Sequence, residues 1–324
     1  MSPRIGSACG KIILSGNTAN RFGRRALAVP VDLQITATWD QTNNRSERLQ
    51  TFWDQQKADG IWLRTIEKIV KLVEAQMGPL TGTLTIENSL PLGKGMGSST
   101  AIVIALVRCF LGANCEEEAF AIENIINSGH SGLDFAAIWN ERPIIIQGNK
   151  HEFTELPTGL HRGFLVDTGL PVAPTSIIVQ QLKQRLLAEK SLFDSVEIVG
   201  NCTERLLSGE NPLAVFPDHF KALLNLGVVP SGVQLLIERI QESGGAAKPV
   251  RFGGADGGVG MLFVVHPQYE VLEKMVQCTP LPLLYNQSHS RFVISPHNTT
   301  QEYAGRLAAS RNNSRGRSDI VHPA

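Results

Sequence analysis

Residues 91–101 constrain the fold of this chain more than any other part of the sequence. They read Pro-Leu-Gly-Lys-Gly-Met-Gly-Ser-Ser-Thr-Ala, and an apolar run continues to Leu111. Three glycines let the backbone approach a ligand closely, and a helix that begins directly after them points its unpaired N–H groups at the same place. Backbone donors and the helix dipole together bind phosphate. The segment therefore predicts a phosphate-binding loop before a helix, with an ordinary glycine-rich turn as the alternative.

The same loop differs from two common nucleotide-binding sequences. It lacks the Gly-Lys-Ser/Thr that follows a four-residue spacer in a P-loop, and it lacks the glycine spacing of a dinucleotide-binding fingerprint. Ser98, Ser99 and Thr100 occupy the positions where a helix N-cap belongs. We therefore expect a helix to begin at these hydroxyl residues.

A second glycine-rich segment lies late in the chain, at residues 253–260. It has five glycines in eight positions, between a strand predicted to end near Phe252 and the apolar residues 261–265. A hairpin turn needs fewer glycines than this, so close approach of the backbone to a ligand is one interpretation. A flexible turn is the other.

Two carboxylates and one lysine complete the set of candidate catalytic residues. Glu123 lies on a helix predicted at 116–127, Asp134 enters a strand predicted at 135–139, and Lys11 opens the first strand. Each of them alone is more often structural. Phosphoryl transfer nevertheless needs one carboxylate for Mg²⁺ and another that orients or deprotonates the acceptor hydroxyl. A lysine can steady the transferring group.

The remaining pattern predicts an α+β protein in two lobes with a cleft between them. Strands are predicted at 11–14, 26–37, 81–86, 144–147 and 164–167, and helices at 61–77, 101–111, 176–188, 194–207, 219–226 and 232–243. Residues 41–55 are polar and predict a surface excursion. The basic, polar end of the chain predicts a disordered tail.

The charge composition argues against a nucleic acid or a membrane surface as a partner. Lys plus Arg equals Asp plus Glu, at 30 each, so no overall field attracts a nucleic acid or a membrane surface. The five cysteines form no Cys-x-x-Cys pair and are interpreted as reduced thiols. The sequence has neither a signal-peptide pattern nor a run of roughly 20 apolar residues. We therefore expect a cytoplasmic protein that acts on a small molecule.

The three motifs together resemble those of the GHMP kinases. They are the Gly10-Lys11 strand, the Pro-x-x-x-Gly-x-Gly-Ser-Ser-x-Ala loop at 91–101 and the late Gly-Ala-x-Gly-Gly segment, in the order that the family shows. The resemblance runs from about residue 10 to 265. It implies an N-terminal lobe like the second domain of ribosomal protein S5 at 1–165, a ferredoxin-like C-terminal lobe at 166–303 and a tail at 304–324. It also implies ATP in the cleft.

Three further features resemble the mevalonate kinases within this superfamily. Residues 8–16 read Ala-Cys-Gly-Lys-Ile-Ile-Leu-Ser-Gly, Glu123 precedes Asp134 by 134 − 123 = 11 positions, and residues 167–171 read Asp-Thr-Gly-Leu-Pro, with Thr175 just beyond. The resemblance implies ATP-dependent phosphorylation of the primary hydroxyl of mevalonate to 5-phosphomevalonate, a step of isoprenoid biosynthesis.

The resemblance also implies a role for each matching residue. Asp134 is the base and Lys11 steadies the phosphoryl group, while Ser99 and Glu123 bind Mg²⁺. Asn17, Thr18 and Thr175 fall on the acceptor side. The resemblance implies that the nucleotide phosphates are bound by Gly93, Lys94, Gly95, Met96, Gly97, Ser98, Ser99, Thr100, Gly254, Ala255 and Gly257.

Two departures from the family pattern keep other functions open. Asn17 and Thr18 stand where mevalonate kinases carry Glu-His, and Asp256 stands where the family has glycine. A carboxylate beside a triphosphate is unfavourable unless a metal or Arg251 neutralises it. The alternatives are a GHMP kinase for phosphomevalonate or threonine and a non-catalytic nucleotide-binding paralogue. The sequence leaves the oligomeric state open, and a homodimer is one possibility.

Overall fold

The computed structural model describes residues 2–41, 48–53, 60–148, 150–157, 160, 163–173, 175–254, 256–277 and 284–286. All of them belong to one unit, Met1–Phe292. Ala255, Cys278 and the predicted tail at 304–324 lie outside the described residues. The domain boundaries at 165/166 and 303/304 remain predictions.

The first half of the chain forms a six-stranded sheet around one long strand, β2. Strand β1 pairs antiparallel with β2 along one edge, and the other edge of β2 pairs with β5 near its start and with β4 near its end. β3 lies parallel to β4, and β6 lies antiparallel to β5. The strands are β1 (Arg4–Ser15), β2 (Ala26–Asp40), β3 (Gln50–Trp53), β4 (Thr83–Asn88), β5 (Ile144–Gln147) and β6 (Lys150–Phe153).

Four helices accompany this sheet, and the central one is buried almost all round. They are α1 (Gly60–Met77), α2 (Ser98–Leu111), α3 (Glu116–Ile126) and α4 (Leu133–Asn140). α2 packs against β1, β2, α1 and α3. A helix with apolar residues on every side must lie in a core, so the glycine loop that precedes α2 is held on a rigid, buried element.

The second half forms a four-stranded antiparallel sheet in the order β10-β7-β9-β8. Its strands are β7 (Gly163–Asp167), β8 (Ala246–Pro249), β9 (Met261–Val265) and β10 (Leu284–Asn286). Its helices are α5 (Thr175–Ala188), α6 (Leu192–Leu207), α7 (Pro212–Asn225), α8 (Ser231–Glu242) and α9 (Tyr269–Gln277).

One apolar core joins the two sheets. Ile12 of β1 and Val103 of α2 belong to the same buried cluster as Leu165, Phe216 and Phe263 of the second half. A second cluster lies between the four-stranded sheet and its helices α5 to α8. Because a continuous core fixes the relative position of its elements, residues from both halves can be held together at one site.

Most of the predicted elements are confirmed. Helices at 61–77, 101–111, 116–127 and 232–243 and the paired strands on both sides of 253–258 appear within a few residues of their predicted bounds. The prediction of a strand at 135–139 is wrong, because these residues belong to helix α4. The buried residues of α4 are Leu133, Phe135, Ala137 and Ile138, and Gly132 starts the helix at φ 76°.

The remaining corrections concern element bounds and a missed strand. β1 begins at Arg4, seven residues before its predicted start. Gly97, at φ 73°, is the N-cap of α2, and Ser98 to Thr100 form its first turn without capping it. Residues 50–53 of the predicted surface excursion form strand β3. α7 begins seven residues before its predicted start, because Asn211 caps it and Pro212 suits a first turn.

Candidate active site

The glycine loop has the backbone that its sequence predicts. Gly93, Gly95 and Gly97 have φ values of 71°, 87° and 73°, a region that side chains with a Cβ rarely adopt. Ser98 Oγ donates a hydrogen bond of 3.0 Å to the Pro91 carbonyl, which closes the loop on itself. The loop therefore presents backbone groups directly before the first turn of α2.

Lys11 lies between this loop and Asp134. Its Nζ is 3.0 Å from Asp134 Oδ1 and donates to the Gly95 carbonyl at 3.2 Å. Its backbone N–H donates to the Met96 carbonyl at 3.0 Å. The Lys11 side chain is 4% exposed and that of Asp134 is 38% exposed. The structure thus brings three predicted residues together, with the carboxylate on the solvent side.

Glu123 is buried one turn away from Asn127 on α3. Thr100 Oγ1 donates to its Oε1 at 2.7 Å, and Asn127 Nδ2 donates to its Oε2 at 2.9 Å. Burial raises the pKa of Glu123, the two hydrogen bonds lower it, and the charge of Asp134 raises it further. Ser99 Oγ donates to Asn127 Oδ1 at 2.8 Å, so Asn127 links the two predicted metal ligands.

These groups fit a magnesium ion that also binds nucleotide phosphates. The donors are all oxygens, as a hard cation prefers, and no salt bridge among the described residues reaches Glu123. Two carboxylates whose charges repel each other favour a cation between or beside them. No cluster of three or more His, Cys, Asp or Glu side chains occurs in the described part of the chain. One protein carboxylate plus phosphate oxygens is a usual Mg²⁺ arrangement.

The second half of the chain holds the glycine loop through contacts that the sequence did not reveal. Lys94 forms an ion pair with Asp167, at the end of β7. The Met261 N–H donates to the Lys94 carbonyl at 3.2 Å, and Arg251 Nη1 donates to the Gly93 carbonyl at 2.6 Å. Residues far apart in sequence therefore set the position of the loop.

Arg251 and Asp256 do not form the pair considered from the sequence. The guanidinium of Arg251 lies on the glycine loop, where its side chain packs against Gly95. Asp256 is exposed. Within the part of the chain that the structure describes, no ion pair links Arg251 to Asp256.

The late glycine segment packs on the backbone that follows β7. The Gly258 N–H donates to the Leu170 carbonyl at 3.0 Å, and the Gly260 N–H donates to the Gly169 carbonyl at 2.9 Å. A Cβ at Gly260 would lie 2.4 Å from the Lys94 carbonyl oxygen. Close approach to other backbone therefore accounts for Gly258 and Gly260. Gly254 is half-buried, Gly257 is exposed with φ 82°, and phosphate binding by these two remains a prediction.

The predicted acceptor residues lie at the end of β1 and the start of α5. Asn17 is half-buried and Thr18 is buried, and both line a small cavity with His219 and Lys248. Thr175 is the first residue of α5, and its side chain is outside the described part. His219 and Lys248 were not singled out from the sequence, because neither belongs to a motif.

The described cysteines are thiols of low reactivity, of which Cys9 is half-buried and the other three are buried. Cys9, Cys109, Cys115 and Cys202 are free, and burial raises the pKa of each, to about 12 for Cys9 and about 11 for the others. None of the described helices has both the length and the apolar character that a bilayer crossing requires.

Comparison with known families matches the part of the chain that contains the loop and both carboxylates. Residues 64–140 match the GHMP kinases N terminal domain. Among curated proteins, a mevalonate kinase of Thermococcus onnurineus (strain NA1) is 26% identical over 40% of this chain. A mevalonate kinase of Arabidopsis thaliana is 24% identical over 67% of it. The matched regions cover 47% and 65% of the length of these two relatives.

Solved structures show the same fold. A mevalonate kinase of Methanococcus jannaschii superposes with a TM-score of 0.71 at 16% identity, over 88% of this chain and 96% of that one. A phosphomevalonate kinase of Streptococcus pneumoniae superposes with a TM-score of 0.61 at 18% identity, over 86% of this chain and 95% of that one. The α+β fold predicted from the motifs is confirmed. The chain is thus a relative of the GHMP kinases, and the relatives that it matches include mevalonate kinases.

Proposed function

We propose that this protein transfers the terminal phosphoryl group of ATP to the primary hydroxyl of mevalonate. One observation carries the proposal: Lys11 bridges the Gly95 carbonyl of the glycine loop and the carboxylate of Asp134, at 3.2 and 3.0 Å. In-line phosphoryl transfer requires that the base and the phosphate-binding loop be held close to each other. The ammonium group of Lys11 contacts both.

Asp134 is the base in this proposal. Its carboxylate accepts the proton of the attacking hydroxyl, and its partly exposed position lets an acceptor reach it. Lys11 keeps the carboxylate oriented and offers positive charge to the oxygen atoms of the group in transit. Because the side chain of Lys11 is almost fully buried, little reorganisation opposes this role.

The glycine loop and α2 hold the nucleotide phosphates. Residues 93–97 supply backbone donors, and the first turn of α2 adds its unpaired N–H groups. Ser99 and Glu123 would hold Mg²⁺, with Asn127 keeping both side chains in place. When bound, the metal and the nucleotide supply charge neutralisation and the phosphoryl group.

Phosphomevalonate is the second candidate acceptor. It is supported by the similarity to a phosphomevalonate kinase over 86% of this chain and by the loss of the Glu-His pair at Asn17 and Thr18. A different acceptor would make new polar contacts at that position. The same substitution is compatible with a paralogue that binds nucleotide without transferring phosphate.

An ADP-release assay with Mg²⁺ and ATP distinguishes these functions. The acceptors are mevalonate, phosphomevalonate, threonine, homoserine and galactose, each at the same concentration. We expect rapid ADP release with mevalonate alone. Turnover with phosphomevalonate alone favours the second candidate. ATP binding measured by calorimetry without turnover of any acceptor favours the non-catalytic paralogue and contradicts the proposal.

A further inference from the structure

A small polar cavity lies behind the acceptor side of the proposed active site. It has a volume of about 10 Å³, and its polar lining consists of Asn17, Thr18, His219 and Lys248. It is closed by apolar residues of α6, α7 and β8, among them Val199 and Leu223. The volume suits a single particle the size of a water molecule.

The lining offers polar atoms that have no partner in the described part of the fold. Burial, followed by the charge of Lys248, lowers the pKa of His219 to about 3, so its imidazole is neutral and has one donor and one acceptor nitrogen. Thr18 Oγ1 and both ring nitrogens of His219 have no hydrogen-bond partner among the described residues. Thr18 is 3% exposed and His219 is 2% exposed. Buried polar atoms without a partner are rare in folded proteins, so these atoms indicate a ligand between them.

Lys248 supplies a positive charge to the cavity, and no carboxylate among the described residues lines the cavity to neutralise it. Its Nζ donates to the carbonyls of Ile13 and Pro249, at 2.5 and 2.7 Å, which leaves one N–H for a third partner. No aspartate or glutamate lines the cavity, and none of the ion pairs within the described residues involves Lys248. Lys11, whose charge acts on Lys248, is itself paired with Asp134.

A buried ammonium group without a counter-ion is strongly unfavourable. Burial, followed by the charge of Lys11, lowers the pKa of Lys248 to about 7. A lysine in this position therefore either loses its proton or acquires an anion. The donors of Thr18, Asn17 and His219 around it favour an anion over a neutral amine.

We propose that this cavity binds one monatomic anion, chloride under ordinary conditions. The volume excludes carboxylate, phosphate and sulfate, while the lining provides donors and one cation. The anion joins β1, α7 and β8 at the point where the chain turns through Asn17 and Thr18. Asn17 and Thr18, which the family resemblance places on the acceptor side, also line this site, but the anion takes no part in the proposed phosphoryl transfer.

Halide-dependent stability tests the site. The thermal midpoint of the full chain is measured at pH 6.5 in chloride, bromide or gluconate, at matched ionic strength. We expect halides, but not gluconate, to raise the midpoint by about 3 °C for each roughly tenfold increase in concentration above the dissociation constant. An equal effect of gluconate overturns the proposal.

Two variants assign the effect to this cavity. Lys248→Met should abolish the halide dependence, and Lys221→Met, which changes an exposed lysine on the same helix as His219, should retain it. Thr18→Val removes one donor and should weaken the dependence several-fold. Retention of the full halide effect in Lys248→Met contradicts the proposal.

Crystals grown in bromide provide a test that does not depend on the folding of any variant. The proposal predicts an anomalous bromide peak within hydrogen-bonding distance of Lys248 Nζ. An ordered water there, without an anomalous signal, shows that the cavity is a buried-water site only and overturns the proposal.

Discussion

At the scale of single residues, the site depends on how burial changes three charged side chains. Lys11 is buried but paired, Glu123 is buried with hydrogen bonds and no cation, and Lys248 is buried with carbonyl partners only. Burial of a charge is favourable only when something compensates it. Lys11 has its compensation in the fold, and we propose that ions compensate the other two.

Glu123→Gln tests whether this carboxylate holds the metal. The variant keeps the size of the side chain and removes its charge, so we expect the Mg²⁺ concentration for half-maximal turnover to rise roughly tenfold or more. Glu118→Gln, an exposed position in the first turn of the same helix, is the control and should leave the titration unchanged. An unaltered Mg²⁺ titration in Glu123→Gln removes this residue from the site.

The pKa of Lys248 predicts how stability depends on pH. In a halide-free buffer the folded pKa is about 7 and the ordinary value is 10.5, so the unfolded chain binds more protons between these values. The free energy of unfolding therefore gains a contribution that rises with pH from about 7 to 10.5. Urea unfolding across this range should show that rise in the wild type and a smaller rise in Lys248→Met. Parallel curves contradict this prediction.

The sequence singled out the candidate catalytic residues but not the residues that surround them. Lys11, Glu123 and Asp134 belong to motifs with recognisable spacing, and Lys11 and Asp134 lie in direct contact. Lys248 and Thr18 are separated by most of the chain, and no local pattern links them. Their proximity follows from the packing of β8 against the end of β1, which only the folded chain reveals.

At the scale of elements, the glycine loop and α2 form one rigid unit. Gly97 caps the helix, and a Cβ at this position would lie 2.7 Å from Ile138 Cδ1 and 3.2 Å from Lys11 Cε. Gly112 caps the other end, also at positive φ (93°) but with ψ −174° instead of 26°, and a Cβ there would meet nothing within 4 Å. The two glycines therefore separate the effect of backbone strain from the effect of crowding.

Gly97→Ala should damage turnover, while Gly112→Ala should not. Both variants adopt a strained backbone and should lose about 1 kcal/mol or more of stability. Only Gly97→Ala displaces Lys11 and Ile138, so we expect its kcat to fall by at least about tenfold, since small misplacements of catalytic groups are costly. Similar kcat losses in the two variants would mean that crowding of Lys11 is irrelevant.

The strand predicted at 135–139 shows where local pattern is insufficient. Phe-Ala-Ala-Ile-Trp is a short apolar run that suits either a strand or a buried helix. In the structure, Gly132 starts a helix whose buried residues are Leu133, Phe135, Ala137 and Ile138. The correction matters for function, because it places Asp134 in the first turn of α4.

At the scale of the whole molecule, the second half of the chain positions the loop of the first. Lys94 pairs with Asp167, whose side chain is 6% exposed and whose other oxygen accepts the Gly169 N–H at 2.9 Å. No motif linked these residues, because the contact requires both sheets to be folded. We expect the pair to couple the loop to β7.

Unequal losses of stability in variants of Lys94 and Asp167 test this coupling. Lys94→Met leaves a buried carboxylate without its cation and should cost about 3 kcal/mol, whereas Asp167→Asn leaves a lysine that can reach solvent and should cost about 1 kcal/mol. The double variant should be less destabilised than the sum of the two. Urea unfolding of all four proteins checks this, and simple additivity argues against the coupling.

The central claim is that Asp134 is the base of a phosphoryl transfer from ATP. The most direct measurement is ³¹P NMR of wild type and Asp134→Asn with ATP, Mg²⁺ and mevalonate, together with calorimetry of nucleotide binding. We predict a phosphomonoester signal from the wild type, a rate lower by several orders of magnitude in Asp134→Asn, and nearly equal nucleotide affinities. A phosphomonoester formed at the wild-type rate by Asp134→Asn would contradict the account.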